Sequence, residues 1–169
     1  YDLPTAAAPQ IGRDVRSLQA RHPDFDLKSF EQRVDVLYNA LQRTWSEQKW
    51  DHARPYVTDT LYQTLRFWME QYSEHGLRNR LDDVRFERMT FVSVRMDAWY
   101  EAVTVRIWGS MKDYVVNQQG EVVGGNRSRD RLFSEYWTLL RVVGTGGGCK
   151  DPLRCPSCGA PLDRVSQVG

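Results

Sequence analysis

From Asp26 onward, apolar residues return at three- and four-residue steps: Leu27, Phe30, Val34, Leu37, Tyr38, Leu41 and Trp45. That spacing lines one face of a helix. Asp26 stands where an N-cap is expected, and Phe25 and Phe30 occupy the two positions of a hydrophobic staple that sets the angle of entry. Trp50 to Val57 contains Pro55 and reads as a short connecting turn or helix fragment. Thr58 or Asp59 then opens a second amphipathic helix, with Leu61, Leu65, Trp68, Met69 and Tyr72 on one face. Gly76 falls where a left-handed C-cap is expected. These aromatic stripes read first as core packing. Upstream, residues 1–23 carry Pro4, Pro9, Gly12 and Pro23 around an Ala run, which predicts an extended arm or linker with one helical turn around Arg13 to Ala20.

After Gly76 the period changes from 3.6 to 2. Between Val84 and Trp99, one face holds Val84, Phe86, Thr90, Val92, Val94, Met96 and Ala98. Arg85, Glu87, Ser93, Arg95 and Asp97 take the other face, with Met89 and Phe91 as apolar intruders. Glu101 to Lys112 alternates again, with Val103, Val105, Ile107 and Met111 opposite Thr104, Arg106, Trp108 and Ser110. Gln118-Gln119-Gly120 marks a turn, Glu121 to Val123 a short pairing strand, and Gly124-Gly125-Asn126 a further break. Arg129 to Val143 has apolar residues on both faces, the pattern of a central strand covered on two sides. Helices first, then consecutive strands joined by short turns, predict an α+β fold with an antiparallel sheet. The Gly-rich run from Gly144 to Gly148 reads as a hinge. The expected units are the arm at 1–23, a domain at 24–143, and the hinge with its tail at 144–169.

Composition narrows the function classes. The chain has 169 residues, 41% of them hydrophobic and 12% aromatic, enough to bury a core without a disulfide or metal. Lys and Arg number 23 against 22 Asp and Glu, a balance that argues against a dedicated nucleic-acid binder. The mean hydropathy is −0.60, and no apolar run approaches the roughly 20 residues of a membrane helix. Tyr1 in place of an initiating Met reads as a partial or processed chain, which leaves a span upstream of it open.

The candidate chemistry lies in three places. In the tail, Cys155-Pro156-Ser157-Cys158-Gly159 has the form of a zinc knuckle, with Cys149 as a third thiolate. A structural zinc needs four ligands, so this is an incomplete site. Zinc is expected only in a longer chain whose second knuckle follows Gly169, and no cofactor is expected for the 169 residues alone. Arg127, Arg129 and Arg131 cluster before the last strand; solvated edge charge is the plain reading, and a surface for anionic headgroups or acidic protein segments is the sharper one. Large side chains with a polar edge, namely Trp68, Tyr72, Trp99, Trp108, Tyr136 and Trp137, are the candidates for lining a pocket. Asp97 or Asp113 could serve as a general base there, with Tyr114 or Tyr136 as a hydrogen-bond donor, but neither has a positioned partner in the sequence.

The segment from Asp24 through Trp45, followed by Arg54-Pro55-Tyr56-Val57-Thr58-Asp59 and Leu61-Tyr62, resembles the Tim44-like domain family. So do Asp113 to Val116, Val122 to Gly124, the Phe133 to Arg141 block, and the Cys155 to Leu162 tail that is common in bacterial members. The resemblance spans about residues 24 to 162. It implies a nuclear-transport-factor-two-like (cystatin-like) cone, with the N-terminal helices in the concavity of a curved antiparallel sheet. It also implies a non-enzymatic, membrane-associated binding module, tethered near the cytoplasmic face of the inner membrane by a segment outside these residues, that contacts lipid, peptide or a membrane-protein partner. Import-motor activity does not carry over, because nothing here corresponds to the motor subunit's long N-terminal region. The competing expectations are a small-molecule enzyme in a cone pocket, and a zinc ribbon that contacts ribosomes or nucleic acid.

Overall fold

The computed structural model describes residues 3–144. Three α-helices, α1 (Ile11–Arg21), α2 (Leu27–Ser46) and α3 (Asp59–Glu74), precede four strands, β1 (Arg78–Met96), β2 (Tyr100–Val116), β3 (Val122–Gly125) and β4 (Arg131–Val142). A 3-10 turn at Trp50–Tyr56 links α2 to α3. The fold is α+β, with the helices on an antiparallel sheet, as the order of elements predicted.

The start of α2 follows the sequence reading. The Asp26 carboxylate accepts from the Ser29 amide at 2.7 Å, and the Phe25 and Phe30 rings lie 5.2 Å apart. Val34 and Tyr38 then point into the sheet and are completely buried. They meet Val103, Val105, Ile107 and Met111 of β2, with Leu18 of α1 in the same cluster. Tyr38 sits directly over Gly109: a Cβ there would stand 2.7 Å from the Tyr38 hydroxyl and 2.8 Å from the Arg85 carbonyl oxygen. Only glycine allows the helix this close.

Three expectations need correction. The arm holds an eleven-residue helix, α1, rather than a single turn. Its one buried apolar residue, Leu18, is too little for a visible period. In β1 the alternation changes phase at bulges between Asp82 and Arg85, Phe86 and Arg88, and Phe91 and Ser93. Each bulge adds a residue and flips the following side chains to the other face. Met89 and Phe91 therefore belong to the core, while the pairing of Thr90 with Arg106 sets it on the opposite face. Finally, β4 is not central. β2 holds that position, with β1 along one side and β4 then β3 along the other. The second apolar face of β4 is an exposed one, carrying Leu132, Tyr136 and Leu140.

A smaller core forms beyond the end of α2. Trp50, Ala53 and Tyr62 are buried there, packed by Leu41, Trp45, Val57, Leu65 and Met69. The Trp50 indole donates to the Tyr62 carbonyl oxygen at 3.0 Å. This cluster, together with a contact to β1, holds α3.

Candidate functional site

Where β2 runs past the beginning of β4 and takes up β3, the sheet opens into a polar cleft of about 550 Å³. Its floor is Asn79, Asp113 and Val115, Tyr72 of α3 lines it, and Asn126, Arg129, Asp130 and Arg131 lie along it. Gly125 belongs to the lining; it has a φ of 72°, and any side chain there would run into the backbone of Asp113 and Tyr114. The close approach of β3 to β2 at this point thus depends on a glycine.

A chain of hydrogen bonds ties the cleft to both layers. The Trp45 indole donates to Asn79 Oδ1 at 2.8 Å. Asn79 Nδ2 donates to Asp113 Oδ1 at 2.8 Å and to the Tyr114 carbonyl oxygen at 3.2 Å. Arg131 donates to the other carboxylate oxygen, Oδ2. The Tyr72 ring meets Trp45 edge-on at 6.4 Å. Asn126 accepts from the amides of Ser128 at 2.8 Å and Arg129 at 2.9 Å, an Asx turn that shapes the loop carrying the arginines.

Charge on this loop is unevenly balanced. Arg131 is paired with Asp113, and Arg85 with Asp130 at 3.2 Å. The Arg127 guanidinium lies 5.0 Å from the centre of the Tyr114 ring, and the Tyr114 hydroxyl donates to Asp82 at 2.6 Å. The Arg129 guanidinium has no carboxylate partner among the described residues. Two carboxylates are thus already neutralised, and Arg127 and Arg129 are left to attract an anion.

The six aromatic candidates do not line one pocket. Tyr72 lines the cleft. Trp68 is 54% exposed on α3, beside Phe67, and Trp99 is 73% exposed in the β1–β2 turn. Trp137 packs on Tyr38 in the core. Trp108 and Tyr136 share the opposite face of the sheet, joined through Arg106, whose guanidinium lies 4.5 Å and 5.6 Å from their ring centres. That face is crossed by the N-terminal arm: Arg106 donates to the Leu3 carbonyl oxygen at 2.6 Å, and Ala6 N–H to the Tyr136 hydroxyl at 3.3 Å. Of the arginines, Arg129 and Arg131 line the cleft, and Arg127 stacks on the Tyr114 ring instead. Cys149, Cys155 and Cys158 lie outside the described residues.

Neither candidate base is set up for proton transfer. Asp97 is exposed and caps the β1–β2 turn, accepting from the amides of Trp99 and Tyr100 at 2.7 Å each. The Tyr100 and Trp99 amides hold its carboxyl below the usual value. Asp113 faces the cleft, but Asn79 and Arg131 engage its two oxygens. Asn79 and Asn126 were not anticipated as site residues. A signal for Asn126 existed in the Gly124-Gly125-Asn126 break, where an Asx turn is common; Asn79 gave none, because its role arises only when β1 pairs with β2.

The family model for the Tim44-like domain matches residues 12–149. No curated protein matches the chain.

Proposed function

The chain belongs to the Tim44-like domain family, and on that premise we propose that it is a non-enzymatic module whose cleft takes the phosphate of an anionic lipid headgroup. The family is membrane-associated in general and generally non-catalytic. No described helix is long and apolar enough to cross a membrane, so contact through surface arginines is the mode these residues support. The observation that carries the reading is Arg129: it lies in a cleft of headgroup size, held by an Asx turn, with no carboxylate partner among the described residues. Arg127, over the Tyr114 ring, adds a second positive charge to the same loop. Each arginine near an anionic bilayer contributes about 1 kcal/mol at physiological salt. The surface served is the cytoplasmic face of an inner membrane, with lipid rather than nucleic acid as the partner.

Flotation with vesicles tests this. Binding to phosphatidylglycerol vesicles should exceed binding to phosphatidylcholine vesicles, and should weaken with added salt. Arg127→Glu with Arg129→Glu should abolish the preference and leave the fold intact, since neither guanidinium is engaged by a carboxylate. Equal binding to both vesicles would remove lipid as the partner and leave protein contact as the family's alternative.

A further inference from the structure

We infer that two copies of this chain join through β4, antiparallel about Tyr136, to make one sheet that runs across both protomers. Three observations lead there. β4 is an edge strand, paired on one side with β2, and α2 meets it on its inner face, where Tyr38 packs on Phe133 and Trp137. From Leu132 to Leu140 it contains no proline, lysine or arginine, the residues by which natural edge strands are guarded against pairing. Its outward face carries Leu132, Tyr136 and Leu140, each about half exposed (54%, 49% and 51%).

The register follows from the order of side chains. A two-fold axis at Tyr136 sets Leu132 opposite Leu140 of the second copy, Ser134 opposite Thr138, and Tyr136 opposite itself. Leu140 and Thr138 repeat those pairs on the other side of the axis. Like chemistry therefore meets like along the whole outward face. On the helical side Phe133 meets Leu139, and the only charge in the segment, Glu135, falls opposite Trp137 rather than opposite another carboxylate. Sliding the pairing by two residues either way breaks these matches: Tyr136 then faces Ser134 or Thr138, and a leucine faces Asp130 or Ser134. The flanking Arg131 and Arg141 would face each other across the copies; Arg131 is already paired with Asp113, and Arg141 lies beside His22, which is bonded to Glu101.

Sedimentation of the full chain from micromolar to submillimolar concentration should show a rise from 19.7 kDa to twice that mass. Leu132→Lys with Leu140→Lys should hold it at the monomer mass. Cysteine cross-linking supplies a test independent of those variants. Opposite residues in an antiparallel pair lie about 4.5–5.5 Å apart at Cα, within disulfide reach. Tyr136→Cys should oxidise to a dimer whose mapped bridge is 136 to 136. Thr138→Cys should not, because its two copies would be about 13 Å apart along the strands. A chain that stays monomeric throughout overturns the inference. So does a dimer in which residue 138 bridges to itself as readily as residue 136.

Discussion

Helices α2 and α3 look alike on paper and behave differently in the fold. Each begins at a side-chain cap, Asp26 for α2 and Thr58 for α3, and each carries an aromatic stripe. α2 buries Val34 and Tyr38 completely. α3 buries only Tyr62 and leaves Leu61, Phe67 and Trp68 at 44%, 53% and 54% exposure. The difference lies in what each helix finds to pack on. Gly109 lets Tyr38 reach the sheet, whereas α3 rests on the Trp50 cluster beyond the sheet's end. A stripe of given hydrophobicity therefore specifies a helix but not its depth of burial. The shallow helix supplies one side of the cleft, through Tyr72.

The largest effect expected from breaking this contrast is on the deep helix. Tyr38→Ala removes a buried ring that packs on Phe86, Phe133 and Trp137, and should cost about 3–5 kcal/mol in urea unfolding. Gly109→Val attacks the same contact from the sheet and should cost about 2–3 kcal/mol or prevent folding. Trp50→Ala should act locally. Hydrogen exchange should show α3 amides losing about 3 kcal/mol of protection while the β2 amides keep theirs. If both fell together, the two cores would be one cooperative unit and the contrast would be wrong.

Smaller effects sharpen it. The Tyr38 hydroxyl is buried and finds no hydrogen-bond partner among the described residues. Burial first, then the charges of Glu135 and Glu87, push its ionisation well above the usual tyrosine range. Tyr38→Phe keeps the ring and removes the stranded hydroxyl, so it should raise stability by about 1 kcal/mol. On the shallow helix, Phe67→Ser or Trp68→Ser should change stability by less than about 0.5 kcal/mol, as thermal melts would show.

Legibility in the sequence followed the range of the interactions. The α2 cap and staple, the α3 cap and the alternation of β2 depend on residues a few positions apart, and all were readable. β1 was misread between Phe86 and Val94 because its inserted residues carry no distinctive composition, and a bulge shows itself only against a partner strand. β4 was misread for a different reason. Leu132, Tyr136 and Leu140 make its outward face as apolar as its inward one, and periodicity does not distinguish a strand covered by its own chain from one left for another surface. The arginine loop was visible as a cluster. The cleft was not, because Tyr72, Asn79, Asp113 and Arg129 meet only through the tertiary fold.

The finest distinction between the two helices concerns protons. Backbone and side-chain hydrogen bonds from Ser29 hold the Asp26 carboxyl below its ordinary value of 3.8. A carboxyl depressed in the folded state contributes its stability above the unfolded value and loses it as pH falls through the folded one. The start of α2 should therefore be unchanged from neutrality to about pH 5 and loosen only below 3.8. Thr58, which accepts from the Leu61 amide at 3.4 Å, has no such proton to take up. In an NMR acid titration the Ser29 amide should shift with a midpoint below 3.8, while the Leu61 amide follows no such curve. Asp26→Asn should abolish the Ser29 titration yet keep the helix start, because an amide oxygen caps nearly as well as a carboxylate. Equal titration of both amides would mean that acid acts through the whole fold and not through this cap.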